Sequence, residues 1–165
     1  MEDPYWHLVC VRPRFEGCVL KQLEADSVEN FYPIYRPQRA SRTIDLPLFP
    51  TYIFCKFPRD RRASVFSTPG VLAIADCEHR VLNQDVECLS RILNSGLSYG
   101  PGSHIESGIS AVVTEGPLTG LKGFLPSDNC FIVPVKSIFR SVVVELGSLC
   151  RVVVAGSDFG SHTAA

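Results

Sequence analysis

The chain has 165 residues, 45% hydrophobic and 20% charged, with a formal net charge of −1. That is enough apolar material for one medium domain or two small ones, and too little charge imbalance for a disordered chain. It also excludes binding driven by a global basic field, whether to nucleic acid or to a membrane.

The N-terminal stretch MEDPYWHL is acidic and holds no long apolar run, so it reads as neither a signal peptide nor a membrane span. A cytoplasmic, reducing location is the expectation. WHLVCVR, from Trp6 to Arg12, is rich in β-formers and predicts a strand. From Phe15 the period changes: Phe15, Val19 and Leu23 recur every four residues and predict a helix running to about Asp26. NFYPIYR predicts a second strand, at an edge or with a bulge because of Pro33. Arg36 to Asp45 is polar and predicts a hairpin tip. Thr51 to Phe57 is the third predicted strand, and Asp60 to Phe66 a short helix stopped at Thr68-Pro69-Gly70. VLAIA is the fourth strand. A last helix is expected from Asn83 as its cap, with Asp85 and Glu87 in the first turn and Val86, Leu89 and Leu93 as its stripe, ending at Gly96.

This order, β-α-β-β-α-β plus one helix, predicts an α+β fold with a ferredoxin-like first domain over residues 1–96. SGLSYGPGS, Ser95 to Ser103, is rich in glycine, serine and proline and predicts a linker over residues 97–104. Short strands alone follow, SAVVTE, KGFL, CFIVPV, RSVVVEL and CRVVV, and predict a small five-stranded β-barrel over 105–157. Residues 158–165 are expected to be a disordered tail.

One segment breaks the usual alternation. LPLFPTYIFC, Leu46 to Cys55, holds no charge. On the third strand Ile53, Cys55 and Phe57 point one way, and Tyr52, Phe54 and Lys56 the other. Two helices of a ferredoxin-like fold cover one face. Tyr52 and Phe54, backed by Phe49 and held by Pro47 and Pro50, are then expected to form an exposed aromatic patch on the other face, the kind of cluster that marks a docking site. The alternative is that the barrel or an edge loop covers them. Between Arg36 and Arg62 seven basic residues (Arg36, Arg39, Arg42, Lys56, Arg59, Arg61, Arg62) outnumber Asp45 and Asp60, which reads as a solvated rim or a phosphate-facing patch.

The seven cysteines show no CxxC pair and read as small apolar thiols. Cys77 and His79 in DCEH make half a metal site with no second half in view, so no metal and no cofactor is expected. No GxSxG, P-loop or HExxH occurs, the four histidines (His7, His79, His104, His162) are scattered, and no catalytic residue is expected.

PLFPTYIF, preceded by a strand opening at Trp6 and followed by STPGV, resembles the N-terminal domain of the NusG/RfaH family of transcription elongation factors. GISAVVTEGPLTGLKGFL, Gly108 to Leu125, resembles that family's KOW motif. Local physics agrees with the second motif: Gly116-Pro117-Leu-Thr-Gly120 can reverse the chain, and Gly123 lets the returning strand bend. Together the two motifs cover nearly the whole chain in the family's order.

The resemblance implies a bacterial, non-catalytic factor that binds the clamp helices of the largest subunit of RNA polymerase and suppresses pausing or termination. It places the polymerase contact at Phe49, Pro50, Tyr52 and Phe54, with Cys10 at a position that is aromatic in RfaH-like members. A gate-loop contact falls at Arg61, Arg62, Ala63 and Ser64, and DNA contacts, to upstream or non-template DNA, at Arg12 and Arg14. Arg61 and Arg62 also read as phosphate contacts. The barrel is expected to recruit Rho or a small-subunit ribosomal protein, without refolding into a helical hairpin. No membrane contact is expected, and the chain is expected to be a monomer. Carrying PLFP, it reads as a specialised, operon-specific antiterminator. The alternatives are a housekeeping NusG-type factor, and a ribosome- or RNA-binding KOW protein, against which a pI near 6.4 argues.

Overall fold

The computed structural model describes residues 2–37, 44–102, 108–127, 129–148 and 150–154. The tip of the predicted hairpin, part of the predicted linker and the predicted tail lie outside them. The chain divides into two compact units, Met1–Ile34 with Pro47–Val86, and Tyr35–Leu46 with Glu87–Ala165. The division falls inside the last helix, not at its expected end near residue 96.

The first unit runs β1 (Tyr5–Val11), α1 (Glu16–Ala25), β2 (Glu29–Phe31), then β5 (Tyr52–Phe57), α2 (Arg62–Phe66), β6 (Val71–Ala75) and the start of α3 (His79–Leu93). A short ribbon, β3 (Ile34–Tyr35) with β4 (Leu46–Pro47), is inserted between β2 and β5. The four main strands lie in the order β2-β5-β1-β6, antiparallel throughout, which is the expected ferredoxin-like topology. Pro33, with no N–H to give to a ladder, sits where β2 ends and the ribbon begins.

Alternation along the strands builds the core. Val9, Val11, Ile53, Cys55, Phe57 and Ile74 pack with Val19 and Leu23 of α1 and Val65 of α2. The predicted stripe of α1 is therefore present, except that Phe15 precedes the helix and is 42% exposed. On the opposite face Leu8 and Phe54 are 1% and 0% exposed, so that face is covered as well. Helix α3 begins one turn earlier than expected. Asn83 lies inside it and caps nothing, and its buried stripe is Leu82, Val86, Leu89 and Ile92.

The second unit carries β7 (Tyr99–Gly102), β8 (Ile109–Glu115), β9 (Lys122–Ser127), β10 (Cys130–Val135), β11 (Arg140–Glu145) and β12 (Arg151–Val154), in the sheet order β12-β8-β9-β10-β11-β7. Five of these follow the predicted barrel, the last strand returning beside the first. The sixth is new. Residues read as linker pair with β11 from Val144↔Tyr99 to Ser141↔Gly102.

Gly123 has a different role from the expected bend. A Cβ there would meet the Ile132 carbonyl oxygen and, at 2.8 Å, Phe131 Cζ. β9 and β10 approach too closely for any side chain. The turn before it is as predicted: Gly116 and Gly120 take φ of 107° and 92°, and Gly120 N–H donates to the Val113 carbonyl at 2.7 Å. Exposed Pro117 leads into fully buried Leu118.

Candidate functional site

Register brings the expected site residues together. In the β1–β5 ladder Cys10 lies directly opposite Tyr52, and Leu8 opposite Phe54. Phe31 of β2 faces Phe54 from the other side, with ring centroids 6.0 Å apart. Phe49, Pro50 and Thr51 form the turn entering β5. Thr51 holds φ at 74°, a left-handed conformation costly for a β-branched residue, and its carbonyl accepts from Val11 N–H at 2.8 Å. That bond ties the turn to the end of β1 and fixes the direction in which Tyr52 leaves it.

Exposure corrects one expectation. Phe54 is 0% exposed and Phe49 4%, so neither lies on an open patch. Tyr52 and Cys10 are half-buried and Pro50 is exposed. The accessible part of the predicted cluster is thus Tyr52, Cys10 and Pro50. Burial pushes the Cys10 thiol up, so it is a neutral, poorly reactive group there.

The two arginines of the predicted gate contact are engaged elsewhere. Arg61 Nη2 donates to the Asp26 carbonyl at 2.7 Å, and Arg62 Nη2 to the Ile74 carbonyl at 3.2 Å. They anchor the start of α2 to the end of α1 and to β6. Each guanidinium is thus held in place by one N–H, and its remaining N–H groups are left for a ligand. Ala63 and Ser64 are exposed on α2; Arg12 and Arg14 are exposed beyond β1, Arg14 with φ of 72°.

Two features escaped the sequence reading. Phe139, after β10, is 77% exposed in a left-handed conformation, φ 53°, beside buried Ile138. Its signal was an aromatic interrupting a polar turn between two strands. The second is a ring column. His7 stacks on Phe57 with centroids 3.8 Å apart and planes 6° off parallel, Tyr5 follows at 4.2 Å, and His79 stands 4.2 Å from Tyr5. Nothing in the spacing of those four residues shows it. Among the described residues no group of three or more His, Cys, Asp or Glu is placed to hold a metal ion. Nor is any helix of the described residues long and apolar enough to cross a membrane.

His7 is 5% exposed and its Nε2 donates to the Phe57 carbonyl at 3.1 Å. Burial pushes its pKa below the usual 6.5, with Arg62 and His79 adding repulsion, while the Phe57 bond acts in the opposite sense. The unfolded chain therefore binds a proton there more readily than the folded one. The stability linked to neutral His7 is fully present above pH 6.5 and is lost as pH falls below it. A urea midpoint that decreases from pH 7 to pH 5, with a smaller decrease in His7→Phe, is the expected result. Equal slopes in both proteins would refute it.

The NusG family model, described as transcription termination factor NusG, matches residues 4–87, half of the chain. No curated protein matches. Among solved structures the chain is similar to NusG of Thermotoga maritima, from a study titled "Domain interaction in Thermotoga maritima NusG". The TM-score is 0.52 at 18% identity, covering 90% of this chain and 96% of that one. At that identity the likeness speaks for the fold, a two-domain α+β arrangement over nearly the whole length. With its ferredoxin-like sheet, its inserted ribbon and the family match across that unit, the chain belongs to the NusG family of transcription elongation and termination factors.

Proposed function

We propose that the chain acts on transcribing RNA polymerase as an antitermination factor, docking on the clamp helices of the largest subunit through the surface around Tyr52. The observation that carries this reading is the family match over residues 4–87, which spans the Phe49–Tyr52 turn and β5. Tyr52, Cys10 and Pro50 supply the accessible contact. Phe49 and Phe54 are buried, so their part is to hold the turn and strand that present Tyr52. Ala63 and Ser64 on α2 offer the second polymerase contact, and Arg12 and Arg14 a weak, salt-sensitive contact to nearby DNA. No chemistry is required of the protein. It favours one polymerase conformation by binding it better than the others.

The barrel recruits a second partner, Rho or a ribosomal protein, with Phe139 as the anchor. A large aromatic held outward by a left-handed backbone is costly to keep unless it is used. The PLFP turn supports a specialised, operon-directed role. Phe139, on a barrel whose described residues from 108 onward are strands and short turns, equally suits a housekeeping factor that links polymerase to Rho or the ribosome.

Co-purification with core RNA polymerase separates the contacts. Tyr52→Ala is expected to weaken polymerase capture about 10-fold or more, a hot-spot loss. Phe139→Ala is expected to leave that capture unchanged and to reduce capture of Rho or ribosomal proteins. Undiminished polymerase capture by a folded Tyr52→Ala protein would defeat the assignment, and capture of ribosomes without polymerase would favour the ribosome-binding alternative.

A further inference from the structure

Strand β6 stops pairing with β1 at Ala75↔Leu8, and the chain then turns through residues 76–78 into α3. Tyr5 to His7 therefore run on with β5 as their strand neighbour on one side only. The gap on the other side is a cavity of about 290 Å³ within the first unit, walled by Tyr5, His7, Arg62, Asp76, Cys77 and His79 among others. The ring column ends here. Phe57 and His7 are its buried members, Tyr5 is half-buried, and His79 is exposed at the head of α3.

We propose that this cavity binds a small planar anion, a single aromatic ring carrying one carboxylate. Size comes first. At about 30 Å³ for each water in the liquid, the space holds roughly ten waters. One ring with a carboxylate fits. The walls then select the shape: Tyr5 is flanked by His7 and His79, each at 4.2 Å, so the exposed His79 ring is the one left to stack on a partner.

Charge selects the ionic group. Arg62 is half-exposed, and beyond its bond to the Ile74 carbonyl it meets Asp76 only at 3.7 Å. That is wider than a charge-assisted hydrogen bond, about 2.7–2.9 Å, and a guanidinium has further N–H groups to give. The Asp76 carboxylate stands wholly in solvent, and Glu78 is turned to Arg80 at 3.8 Å. Neither acid meets Arg62 as closely as a bidentate ligand carboxylate would, and the third acid near the wall, Asp85, is buried in α3 and acts on Cys77. Burial pushes the Cys77 thiol up, with Cys10, Asp85 and Asp76 adding to the effect, so it lines the wall as a neutral group.

The test is a titration of the full chain, histidine rings ¹³C-labelled, with salicylate. Saturable shifts of the His7 and His79 resonances are expected, with a dissociation constant of about 1 mM or tighter. Benzyl alcohol, uncharged, should bind about 10-fold more weakly, and Arg62→Gln should weaken salicylate by a similar factor. Since Arg62 also holds β6, its melting temperature is compared with wild type. If it has dropped, the comparison of the two ligands on wild type decides, together with His79→Ala, which should weaken binding about 3-fold through lost ring contact. The proposal fails if no shift saturates, or if salicylate and benzyl alcohol bind equally. It does not depend on polymerase binding, and neither result bears on that reading.

Discussion

Phe54→Ala is expected to cost about 3–5 kcal/mol of stability, the range for emptying a fully packed aromatic site. Phe54 is 0% exposed, Leu8 beside it is 1% exposed, and Phe31 lies 6.0 Å away centroid to centroid. Removing the ring leaves a hole beside Leu8 and Phe31 on the face of the sheet, and their backbones are fixed by the ladders, so the site closes poorly. For a unit of this size the loss corresponds to a melting temperature lower by about 12 °C or more. Tyr52→Ala, on the same face of the same strand but half-buried, should cost about 1 kcal/mol. Thermal unfolding followed by circular dichroism separates the two. A Phe54→Ala protein within about 1 kcal/mol of wild type would show that the ring is not packed as described. The contrast also decides how docking is to be measured. Lost polymerase capture by Phe54→Ala reports folding as much as contact, whereas Tyr52→Ala reports contact.

Gly123→Ala is expected to destabilise the barrel by about 1–3 kcal/mol or more, the cost of forcing an extra carbon into a filled space. The new methyl would press on the Ile132 carbonyl oxygen and on the Phe131 ring, and backbone cannot swing aside as a side-chain tip can. Phe131 is 0% exposed, so its ring has no free direction either. A barrel of this size has only a few kcal/mol to lose. Amide exchange in Phe131 and Val133 should accelerate in the intact chain, while that of Val9 and Ile53 in the first unit stays slow. Gly120→Ala is the control. Its φ of 92° is unfavourable for alanine, but nothing lies within 4 Å of a Cβ there, so about 1 kcal/mol is expected. Equal effects of the two substitutions would rule out close strand approach as the reason for Gly123.

The elements of the first unit were legible because each carries its own period. Val19 and Leu23 mark a helix face, and the alternation through Ile53, Cys55 and Phe57 marks a strand buried against it. Coverage of the second face was not legible. Two helices were counted against the sheet, while the stripe on α3 left the burial of Phe54 open; burial of a residue is set by distant segments, not by its neighbours in sequence. The start of α3 was misplaced because Asp85 and Glu87 look like first-turn acids. Asp85 is in fact 5% exposed inside the helix, and Leu82, one turn earlier, is already core. At the candidate site the positions of Tyr52 and Cys10 followed from strand alternation and resemblance. The engagement of Arg61 and Arg62 with the Asp26 and Ile74 carbonyls could not be foreseen, since a basic pair in sequence says nothing of which backbone oxygen lies within reach.

The strand at Tyr99–Gly102 decides where the chain can be cut. Its backbone occupies the outer side of β11 from Ser141 to Val144. Excising the barrel from residue 105 onward would strip that side and leave a row of unanswered amides and carbonyls, which invites one molecule to zip onto the next. A fragment starting at Leu97 carries its own cover and is the form in which solution work on this half should begin.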